Sequence, residues 1–529
     1  MHVALINPPY LIIYNKLNID QDASVPLGLL CVASMLEKHG HAVKVFDFNL
    51  KETLLSEMID QISEFKPDVI GITAVTPTFN SAQQIITTLK KVFPKTIFVM
   101  GGPHLTSLPK QSLQSTPAAD FVIAGEGEYP MTALVDALQA GRTNFAEIPG
   151  ITFRQGDQVV SNPRAPMIED LDALPWPAYH LLPVTEYSPS VVYRVAEKSI
   201  FIMSSRGCAA YCTFCANNVT GRRLRVNSID YFIDMIKDLM KTYGFKHFHI
   251  VDDNFMSDNQ RVIDICQRLL DENIKITWFI FGRPDHCQNL ETLKMMKKAG
   301  CVYIQFGIES GSTLILRQMG KKIEKRELYN ACMNCKKAGI DYFNSFMIGN
   351  PQESRETVEE TINFAIKLDA IMSGFNILIP YPGTAIFKKY YEKDFIENTS
   401  WEKWNHITHE VPIDYRHTVL TKAELDKLRK ECIRRYYLRP RQILRLLLFF
   451  RSFELLKKFI HSSWKHLFFL FAESTFSPTK KKLRDLIHFG KKPVRPPLAH
   501  DGTRVSHGGS TQGSDVSDFV DVFQRDSVA

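Results

Sequence analysis

The chain has 529 residues, of which 45% are hydrophobic and 23% are charged, and its formal net charge is +7. This length allows about three domains, and the composition is ordinary for a globular protein, which excludes a fibrous or wholly disordered chain. Ten cysteines in a chain of this length indicate no disulfide framework, no apolar run reaches the roughly 18 residues that span a bilayer, and the first residues lack the basic stretch of a signal peptide. We therefore expect a cytoplasmic protein.

Residues 1–160 alternate short apolar, β-rich runs with helical patterns. The runs are VALIN, VKVFDFN, DVIGITAVT, TIFVMGG and DFVIAGEGE. Strand and helix alternating at this spacing predict an α/β domain of the doubly wound, Rossmann-like type, in which helices cover both faces of a parallel sheet. Ligands of such a sheet bind beyond the carboxyl ends of its strands.

The predicted strand ends carry residues that suit the close approach of a large ligand. Glycines let the backbone come near the ligand, and a Gly-Glu turn can present main-chain N–H groups. Taken singly, each loop is also typical of an ordinary βα turn, and the chain has neither a dinucleotide-binding fingerprint nor a P-loop. The candidate binding residues are Asn7, Thr73, Gly101, Gly102, Gly125 and Glu126.

The order of these segments is more specific than any one of them. Asn7-Pro8-Pro9, a Pro-Leu-Gly-Leu-Leu helix start, Gly102-Pro103-His104 and Gly-Glu-Gly-Glu from Gly125 follow one another along nearly the whole domain. Together they resemble the cobalamin-binding domain of cobalamin-dependent radical S-adenosylmethionine (SAM) enzymes. The resemblance implies that these loops cradle cobalamin. The D-x-H-x-x-G loop of methionine-synthase-like domains is missing, so cobalt should receive no histidine from this loop.

A connector and a second α/β domain follow. Residues 161–198 include LDALPWPAYHLLP, whose three prolines and two aromatic residues predict a linker. His180 lies there, and we interpret it as a linker residue, with a position in the cleft between two cofactors as the alternative. About six strand–helix repeats over residues 199–395 predict a partial (β/α)6 barrel, with its site at the carboxyl ends of the strands.

Three cysteines directly follow the first strand of this barrel, in SSRGCAAYCTFCANN. The C-x3-C-x2-C spacing of Cys208, Cys212 and Cys215 suits a 4Fe-4S cluster that has three thiolate ligands and one open iron. A chance grouping of buried cysteines and a three-ligand zinc site are the alternatives, but no fourth Cys or His completes a zinc spacing nearby. Cys332 and Cys335, one helical turn apart, read as core residues rather than as ligands of a second cluster.

Polar residues also gather at the other strand ends of the barrel, where they could hold an amino acid and ribose hydroxyls. They include Asp252, Asp253, Asn254, Arg283, Glu309 and Ser310. Here the chain resembles the radical SAM superfamily, with Phe214 as the aromatic residue before the last cysteine. The resemblance implies that residues 252–254 bind the SAM amino group and residues 307–311 the ribose. Alternatively, Asp252 or Asp253 caps the next helix, and Glu309 pairs with Arg283.

The C-terminal region is basic. Between residues 421 and 492 there are 19 Lys and Arg against 6 Asp and Glu. Basic residues interleave with Leu and Phe over residues 396–490, which predicts amphipathic helices that pack on the barrel, with an anionic membrane surface or a lid over an apolar substrate as alternatives. No RNA-binding aromatic–basic module is present, so no nucleic acid partner is expected. Residues 491–529 are predicted to be a disordered tail.

The sequence therefore predicts a cobalamin-dependent radical SAM enzyme that uses a 4Fe-4S cluster to cleave SAM and functionalise an unactivated carbon. The favoured reaction is C-methylation through methylcobalamin. One alternative is oxidative cyclisation or ring rearrangement, as in the anaerobic Mg-protoporphyrin monomethyl ester cyclases, and another is a cobalamin or redox sensor. The expected partners are a small-molecule substrate, lipid-like or tetrapyrrole in character, and a reductant such as flavodoxin or ferredoxin. Peripheral membrane contact is a further expectation.

Overall fold

The computed structural model describes residues 1–9, 24–50, 53, 55–187, 198–393, 400–405 and 415–449. The internal contacts divide the chain into one unit over Met1–Leu470 and another over Phe471–Ala529, and every described residue belongs to the first unit. The predicted disordered tail and the later part of the predicted basic helices lie outside the described residues. Among the described residues, no helix has the length and apolarity needed to cross a membrane.

The first sheet has seven strands in the order β2-β1-β3-β4-β5-β6-β7. The strands are β1 (His2–Asn7), β2 (Ala42–Asp47), β3 (Val69–Thr73), β4 (Ile97–Gly101), β5 (Phe121–Ile123), β6 (Ile151–Gln155) and β7 (Gln158–Ser161). Strands β1 to β5 pair in parallel, as predicted, while β6 and β7 form an antiparallel hairpin that extends the sheet beside β5. The hairpin was not predicted from the sequence.

Within the described part of this domain there are six helices: α1 (Leu27–Lys38), α2 (Leu55–Phe65), α3 (Phe79–Val92), α4 (Pro103–Ser107), α5 (Pro109–Gln114) and α6 (Glu128–Gln139). The central strands are buried on both faces, since Val3, Ala4, Leu5 and Ile6 of β1 are all nearly inaccessible to solvent. A strand buried on both faces reads as a continuous apolar run, which is why these strands were predictable.

The second sheet has six parallel strands in the order β15-β14-β13-β12-β11-β8. They are β8 (Ser199–Ile202), β11 (His247–Ile250), β12 (Thr277–Gly282), β13 (Cys301–Glu309), β14 (Asp341–Ile348) and β15 (Met372–Ile377). Between and after them lie α7 (Ile229–Tyr243), α8 (Asn259–Asp271), α9 (Leu290–Lys298), α10 (Thr313–Gln318), α11 (Lys325–Ala338), α12 (Arg355–Leu368) and α13 (Ala385–Tyr390). This arrangement confirms the predicted partial (β/α)6 barrel.

After the barrel, α14 (Lys422–Tyr437) packs against the edge strand β15. The next helix, α15 (Pro440–Phe449), follows α14, and its Gln442 side chain donates to the Ile371 carbonyl at 2.6 Å, just before β15 begins. The Tyr437 hydroxyl donates to the Ser373 carbonyl at 2.7 Å and accepts from the Ser373 N–H at 2.9 Å. Arg429 donates to the Phe375 carbonyl at 2.9 Å. Side chains of α14 thus satisfy backbone groups that would otherwise be open at the edge of the sheet. Over residues 422–449, the basic region packs on the barrel.

Candidate functional site

The three predicted cluster ligands lie on one loop, residues 207–224, which we call the cluster loop. It is closed at its base by a short antiparallel ribbon of β9 (Ser205–Arg206) and β10 (Arg225–Val226). Gly207 begins the loop with a φ of +91°, and a Cβ atom there would lie 2.1 Å from the Arg223 carbonyl oxygen. The two ends of the loop therefore approach each other more closely than any residue with a side chain would allow.

The three thiols of the cluster loop differ in exposure, and Cys215 lies close enough to the other two to be affected by their charge. Cys212 is buried, Cys208 is half-buried and Cys215 is largely exposed. Desolvation of the Cys215 thiol raises its pKa to about 11, and the charges of Cys212, Asp253 and Cys208 contribute to the rise. Within the described residues, no three His, Cys, Asp or Glu side chains close around a single metal ion. A cubane does not require such a group, because each of its thiolates binds a different iron.

Backbone hydrogen bonds hold the cluster loop between the end of α10 and the start of α13. The Thr213 N–H donates to the Met319 carbonyl at 2.8 Å, and the Ile386 N–H donates to the Thr213 carbonyl at 3.2 Å. Phe214 is half-buried and packs its ring against the main hydrophobic core. The aromatic residue before the last cysteine thus anchors the loop, which leaves the thiols on either side of it at the surface of the core.

Asp252 and Asp253, at the end of β11, bind different parts of the backbone. Asp252 is buried and accepts hydrogen bonds from the Ser204 N–H and from the hydroxyls of Ser204 and Ser205, at 2.6–2.7 Å. Its burial raises the pKa of the carboxyl group, and these hydrogen bonds oppose the rise. Neither aspartate caps α8, because Asp258 accepts from the Arg261 N–H and fills that position.

Asp253 is the more exposed of the two and contacts both ends of the cluster loop. Its Oδ2 accepts from the Gly207 N–H at 3.0 Å and from the Thr220 hydroxyl at 2.9 Å. Asn254 is buried, and its side-chain oxygen accepts from the Arg283 N–H at 3.1 Å. Of these three residues, Asp253 is the one whose side chain contacts the cluster loop. Contact with the SAM amino group stays a prediction for all three.

Arg283 brings a positive charge to the cysteines. Its Nη1 lies 3.7 Å from the Cys212 sulfur, and its guanidinium pairs with Asp285 at 2.9 Å. Arg283 also donates to the Lys321 carbonyl at 3.1 Å, which fixes its orientation. The guanidinium thus places a positive charge beside the Cys212 sulfur, where a cluster ligand is expected. The donor set and its charge environment fit a cluster held by Cys208, Cys212 and Cys215.

Glu309 ends β13 in the left-handed backbone region, with a φ of +69°. Its carboxylate lies 3.4 Å from the ammonium group of Lys321, which is 5% exposed. The alternative pairing of Glu309 with Arg283 is therefore wrong, since Arg283 pairs with Asp285. Lys321 was not predicted as part of the site, because it lies in a basic turn with no spacing motif.

Ser310 follows Glu309 but lies in a different environment. It is fully buried, and its hydroxyl is 3.0 Å from the Thr361 hydroxyl on α12. The same oxygen accepts from the Ser312 N–H at 3.1 Å. The Ser310 side chain thus ties the turn after β13 to helix α12, and its role in binding ribose stays a prediction.

In the first domain, the predicted residues lie along the carboxyl edge of the parallel sheet. Asn7 donates to Asp47 at 2.9 Å, and the Tyr187 hydroxyl donates to the same carboxylate at 2.7 Å. Gly102 has a φ of +104°, and a Cβ atom there would lie 2.7 Å from the Thr73 hydroxyl oxygen. These contacts shape the loops after β1, β3 and β4.

The edge also offers open backbone to a large ligand. A Cβ atom added at Gly101 would meet nothing nearer than the Ile123 carbonyl oxygen at 3.9 Å, and one at Gly125 nothing nearer than Arg164 Nε at 3.8 Å. Gly101 ends β4 and Gly125 follows the neighbouring β5. Two adjacent strand ends without side chains fit the approach of a broad, planar group such as a corrin.

His104 is withdrawn from this edge. It is 2% exposed, its ring stacks on Phe79 with centroids 4.1 Å apart, and its Nδ1 lies 3.2 Å from the Thr76 hydroxyl. Burial lowers the pKa of His104 to about 3, so the ring is neutral at physiological pH. His180 lies at the surface, 3.1 Å from Glu37, which supports its interpretation as a linker residue.

Glu126 points towards the barrel. One carboxylate oxygen accepts from Arg206 at 2.9 Å, and the other accepts from Arg225 at 2.8 Å and from the Ile168 N–H at 2.9 Å. Burial acts to raise the pKa of Glu126, but these hydrogen bonds outweigh it and hold the pKa below its usual range. The role of Glu126 in binding a cofactor stays a prediction, and its contacts join the two domains.

The carboxyl edges of the two sheets meet at a second point. The Asn218 side chain, on the cluster loop, donates to the Ser107 hydroxyl at 2.6 Å. Ser107 ends the short helix after β4, and its hydroxyl donates to the Pro382 carbonyl at 3.0 Å, beyond β15. Loops from the ligand-binding ends of both sheets are therefore in direct contact beside the cluster loop.

Comparison with known proteins agrees with this architecture. Residues 21–135 match the family model of the B12 binding domain, and residues 202–365 match that of the radical SAM superfamily. An uncharacterized methyltransferase from Pyrococcus horikoshii is 34% identical, over 79% of this chain and 89% of its own length. An anaerobic magnesium-protoporphyrin IX monomethyl ester cyclase from Cereibacter sphaeroides is 29% identical, over 78% of this chain and 67% of its own length.

Two solved structures share the fold. TsrM from Kitasatospora setae, a radical SAM methyltransferase with cobalamin and a [4Fe-4S] cluster bound, aligns with a TM-score of 0.61 and 19% identity, over 74% of this chain and 75% of its own. The cobalamin-dependent SAM radical enzyme OxsB, with aqua-cobalamin and SAM bound, aligns with a TM-score of 0.64 and 19% identity, over 92% of this chain and 74% of its own.

The fold and the cluster loop define an iron–sulfur enzyme in which a B12-binding domain precedes a partial barrel. The chain belongs to the radical SAM superfamily, among its members with a B12-binding domain. The predicted fold class and the predicted cofactors, cobalamin, a 4Fe-4S cluster and SAM, are thereby confirmed. Enzymes of this family act on small molecules and need a reductant.

Proposed function

We propose that this enzyme transfers a methyl group from SAM to an unactivated carbon of a small-molecule substrate. The observation that carries the proposal is the contact of Ser107 with Asn218 and Pro382, through which the loops after β4 meet the cluster loop. Cobalamin on the first domain and the cluster with SAM on the barrel would then act on one substrate where these loops meet. The 34% identical relative, a methyltransferase, supports the same reaction.

The residues of the barrel have separate tasks in this proposal. Cys208, Cys212 and Cys215 would bind three irons of the cluster, and the Arg283 guanidinium lies beside the Cys212 sulfur. When bound, the cluster supplies the electron that cleaves SAM, and cobalamin carries the methyl group. Arg283 also links this part of the site to Lys321, whose ammonium group pairs with Glu309.

The placement of the predicted SAM contacts suggests a division between binding and support. Asp253 and Glu309 keep part of their surface exposed near the cluster loop, so we assign them direct contact with SAM. Asp252 and Ser310 are fully buried and hydrogen-bonded to neighbouring elements, so we assign them support of the loops that carry the contacts. A buried polar group that is already paired has little left to offer a ligand.

The proposal is tested by the products made from SAM. After anaerobic reconstitution with iron, sulfide and cobalamin, the reduced enzyme should convert methyl-labelled SAM into both 5′-deoxyadenosine and S-adenosylhomocysteine. Methyl transfer from SAM leaves S-adenosylhomocysteine, whereas radical cleavage leaves 5′-deoxyadenosine. Formation of 5′-deoxyadenosine without any S-adenosylhomocysteine would contradict methyl transfer.

Oxidative cyclisation is the second candidate, because the cyclase from Cereibacter sphaeroides aligns over 78% of this chain. Mg-protoporphyrin IX monomethyl ester is the direct probe for it. Consumption of this probe in step with 5′-deoxyadenosine, and with no label transferred from SAM, would favour cyclisation. A tetrapyrrole that gains the labelled methyl group would instead support methylation of a substrate of that class.

We also propose that flavodoxin or ferredoxin is the reductant.

We propose further that α15 contacts an anionic membrane surface. On α15, Ile443, Leu444 and Leu447 are 44%, 59% and 50% exposed, next to the exposed Arg441. Apolar and basic side chains on one short helix suit adsorption to acidic headgroups. The protein should sediment with phosphatidylserine vesicles but not with phosphatidylcholine vesicles. Equal sedimentation of the wild type and the Leu444→Gln, Leu447→Gln double variant would contradict this contact.

A further inference from the structure

Four charged side chains form a buried network between the B12-binding domain and the barrel. Glu126 and Glu128 belong to the first domain, and Arg206 and Arg225 to the ribbon at the base of the cluster loop. All four are between 4% and 6% exposed. Arg206 donates to Glu126 at 2.9 Å and to Glu128 at 2.7 Å, and Arg225 donates to Glu126 at 2.8 Å.

The network holds both strands of that ribbon. Arg206 and Arg225 are directly paired across β9 and β10, and Arg206 lies two residues before Cys208. Arg225 also donates to the Thr220 carbonyl at 2.6 Å, inside the cluster loop, and to the Ile168 carbonyl at 2.7 Å. Each end of the cluster loop is thus tied through one arginine to the same carboxylate, that of Glu126.

A need for stability alone does not account for this arrangement. Buried ion pairs lose so much hydration that apolar side chains of similar size often stabilise a protein equally well or better. What they provide is a fixed orientation, because a guanidinium that binds two carboxylates is held in one plane with a fixed set of donors. Here the two arginines stand at the ends of the cluster loop, so their fixed orientation also restricts the position of the loop.

We infer that Glu126, Glu128, Arg206 and Arg225 are positioning residues that hold the cluster loop in register with the ligand-binding edge of the B12-binding sheet. This inference rests on the proposed function, since it assigns the network the task of keeping SAM cleavage coupled to methyl transfer. All four side chains are buried and paired with one another, so we assign them an effect through the loop rather than through contact with the reacting atoms. They fix the distance between the cluster loop and the B12-binding domain, which must both reach the same substrate. An error of about 1 Å in such a distance can lower the rate about a hundredfold.

The test compares Glu126→Gln with a matched control, Glu169→Gln. Glu169 also pairs with an arginine of the cluster loop, Arg223, at 3.0 Å, but both partners are exposed, at 59% and 77%. An exposed pair contributes little to geometry. Glu126→Gln removes the carboxylate that both buried arginines share, whereas Glu169→Gln removes a carboxylate that also pairs with this loop but lies outside the network.

Two readouts are needed. In the loaded enzyme, the ratio of 5′-deoxyadenosine to S-adenosylhomocysteine should rise about tenfold in Glu126→Gln and stay at the wild-type value in Glu169→Gln. A merely structural loss would lower both products together and leave the ratio unchanged. In the protein without cofactors, amide hydrogen exchange over residues 205–226 should become about tenfold faster in Glu126→Gln, with no such change in the control.

The outcomes separate this inference from the proposed function. Unchanged exchange together with an unchanged product ratio would overturn the positioning role. If the wild type makes no S-adenosylhomocysteine, the proposed function fails, while the exchange data still decide whether the network orders the loop. Should Glu126→Gln fail to fold, Glu128→Gln removes only one partner of Arg206, and the same two measurements on that variant support or overturn the inference.

Discussion

Replacement of Gly207 by alanine should disrupt the cluster loop far more than an ordinary glycine substitution. At a φ of +91°, an L-residue costs about 1–2 kcal/mol. The new Cβ would also lie 2.1 Å from the Arg223 carbonyl oxygen, well inside the ~3.5 Å at which non-bonded heavy atoms attract. Relief of this clash requires β9 and β10 to separate, and each backbone hydrogen bond lost there costs about 1 kcal/mol. We expect a local cost of roughly 3–4 kcal/mol.

Gly244→Ala is the control for this substitution. Gly244 ends α7 with a φ of +74°, but a Cβ atom there would meet nothing within 4 Å, so only the conformational cost of about 1 kcal/mol remains. Iron and sulfide bound per chain after anaerobic reconstitution, and urea unfolding, are the measurements. Gly207→Ala should bind much less iron than Gly244→Ala. Equal iron binding by the two variants would refute the argument from close approach.

Three further predictions concern other parts of the structure. Because burial lowers the pKa of His104 to about 3, the unfolded chain takes up a proton below about pH 6.5 while the folded chain does not, so stability is lost as the pH falls. Between pH 7 and pH 5, the free energy of unfolding measured in urea should fall by about 2 kcal/mol more in the wild type than in His104→Phe. The same pH dependence in both proteins would contradict this. Tyr437→Phe removes hydrogen bonds to both backbone groups of Ser373 and should cost about 1–2 kcal/mol of unfolding free energy, whereas an unchanged urea midpoint would show that water replaces the hydroxyl. Glu309→Gln should weaken SAM binding about tenfold in calorimetry at unchanged iron content, and an unaltered Kd would exclude direct contact.

The parts of the fold that could be predicted are those with a local cause. The strands of both sheets are continuous apolar runs because they are buried on both faces. The three cysteines of the cluster loop lie within eight consecutive residues, so their common function is visible in the sequence. The hairpin of β6 and β7 was missed.

The contacts that organise the site depend on residues far apart in the chain. Glu126 and Arg206 are 80 residues apart, and no local pattern indicates that they meet. The sequence predicted a cofactor contact for Glu126 because a Gly-Glu turn can face a ligand, whereas the structure places its carboxylate against the barrel. Lys321 was missed for the same reason, since its pairing with Glu309 depends on how the turn after α10 folds back over the end of β13.

The most direct test of the account is SAM cleavage by the reconstituted protein. With a full cluster and under anaerobic reduction, the wild type should form 5′-deoxyadenosine from SAM, and Cys208→Ala should form none, because the thiolate at Cys208 would hold one of the three irons. A wild-type protein that carries a full cluster and still forms no 5′-deoxyadenosine would contradict the assignment of the barrel as a radical SAM catalyst.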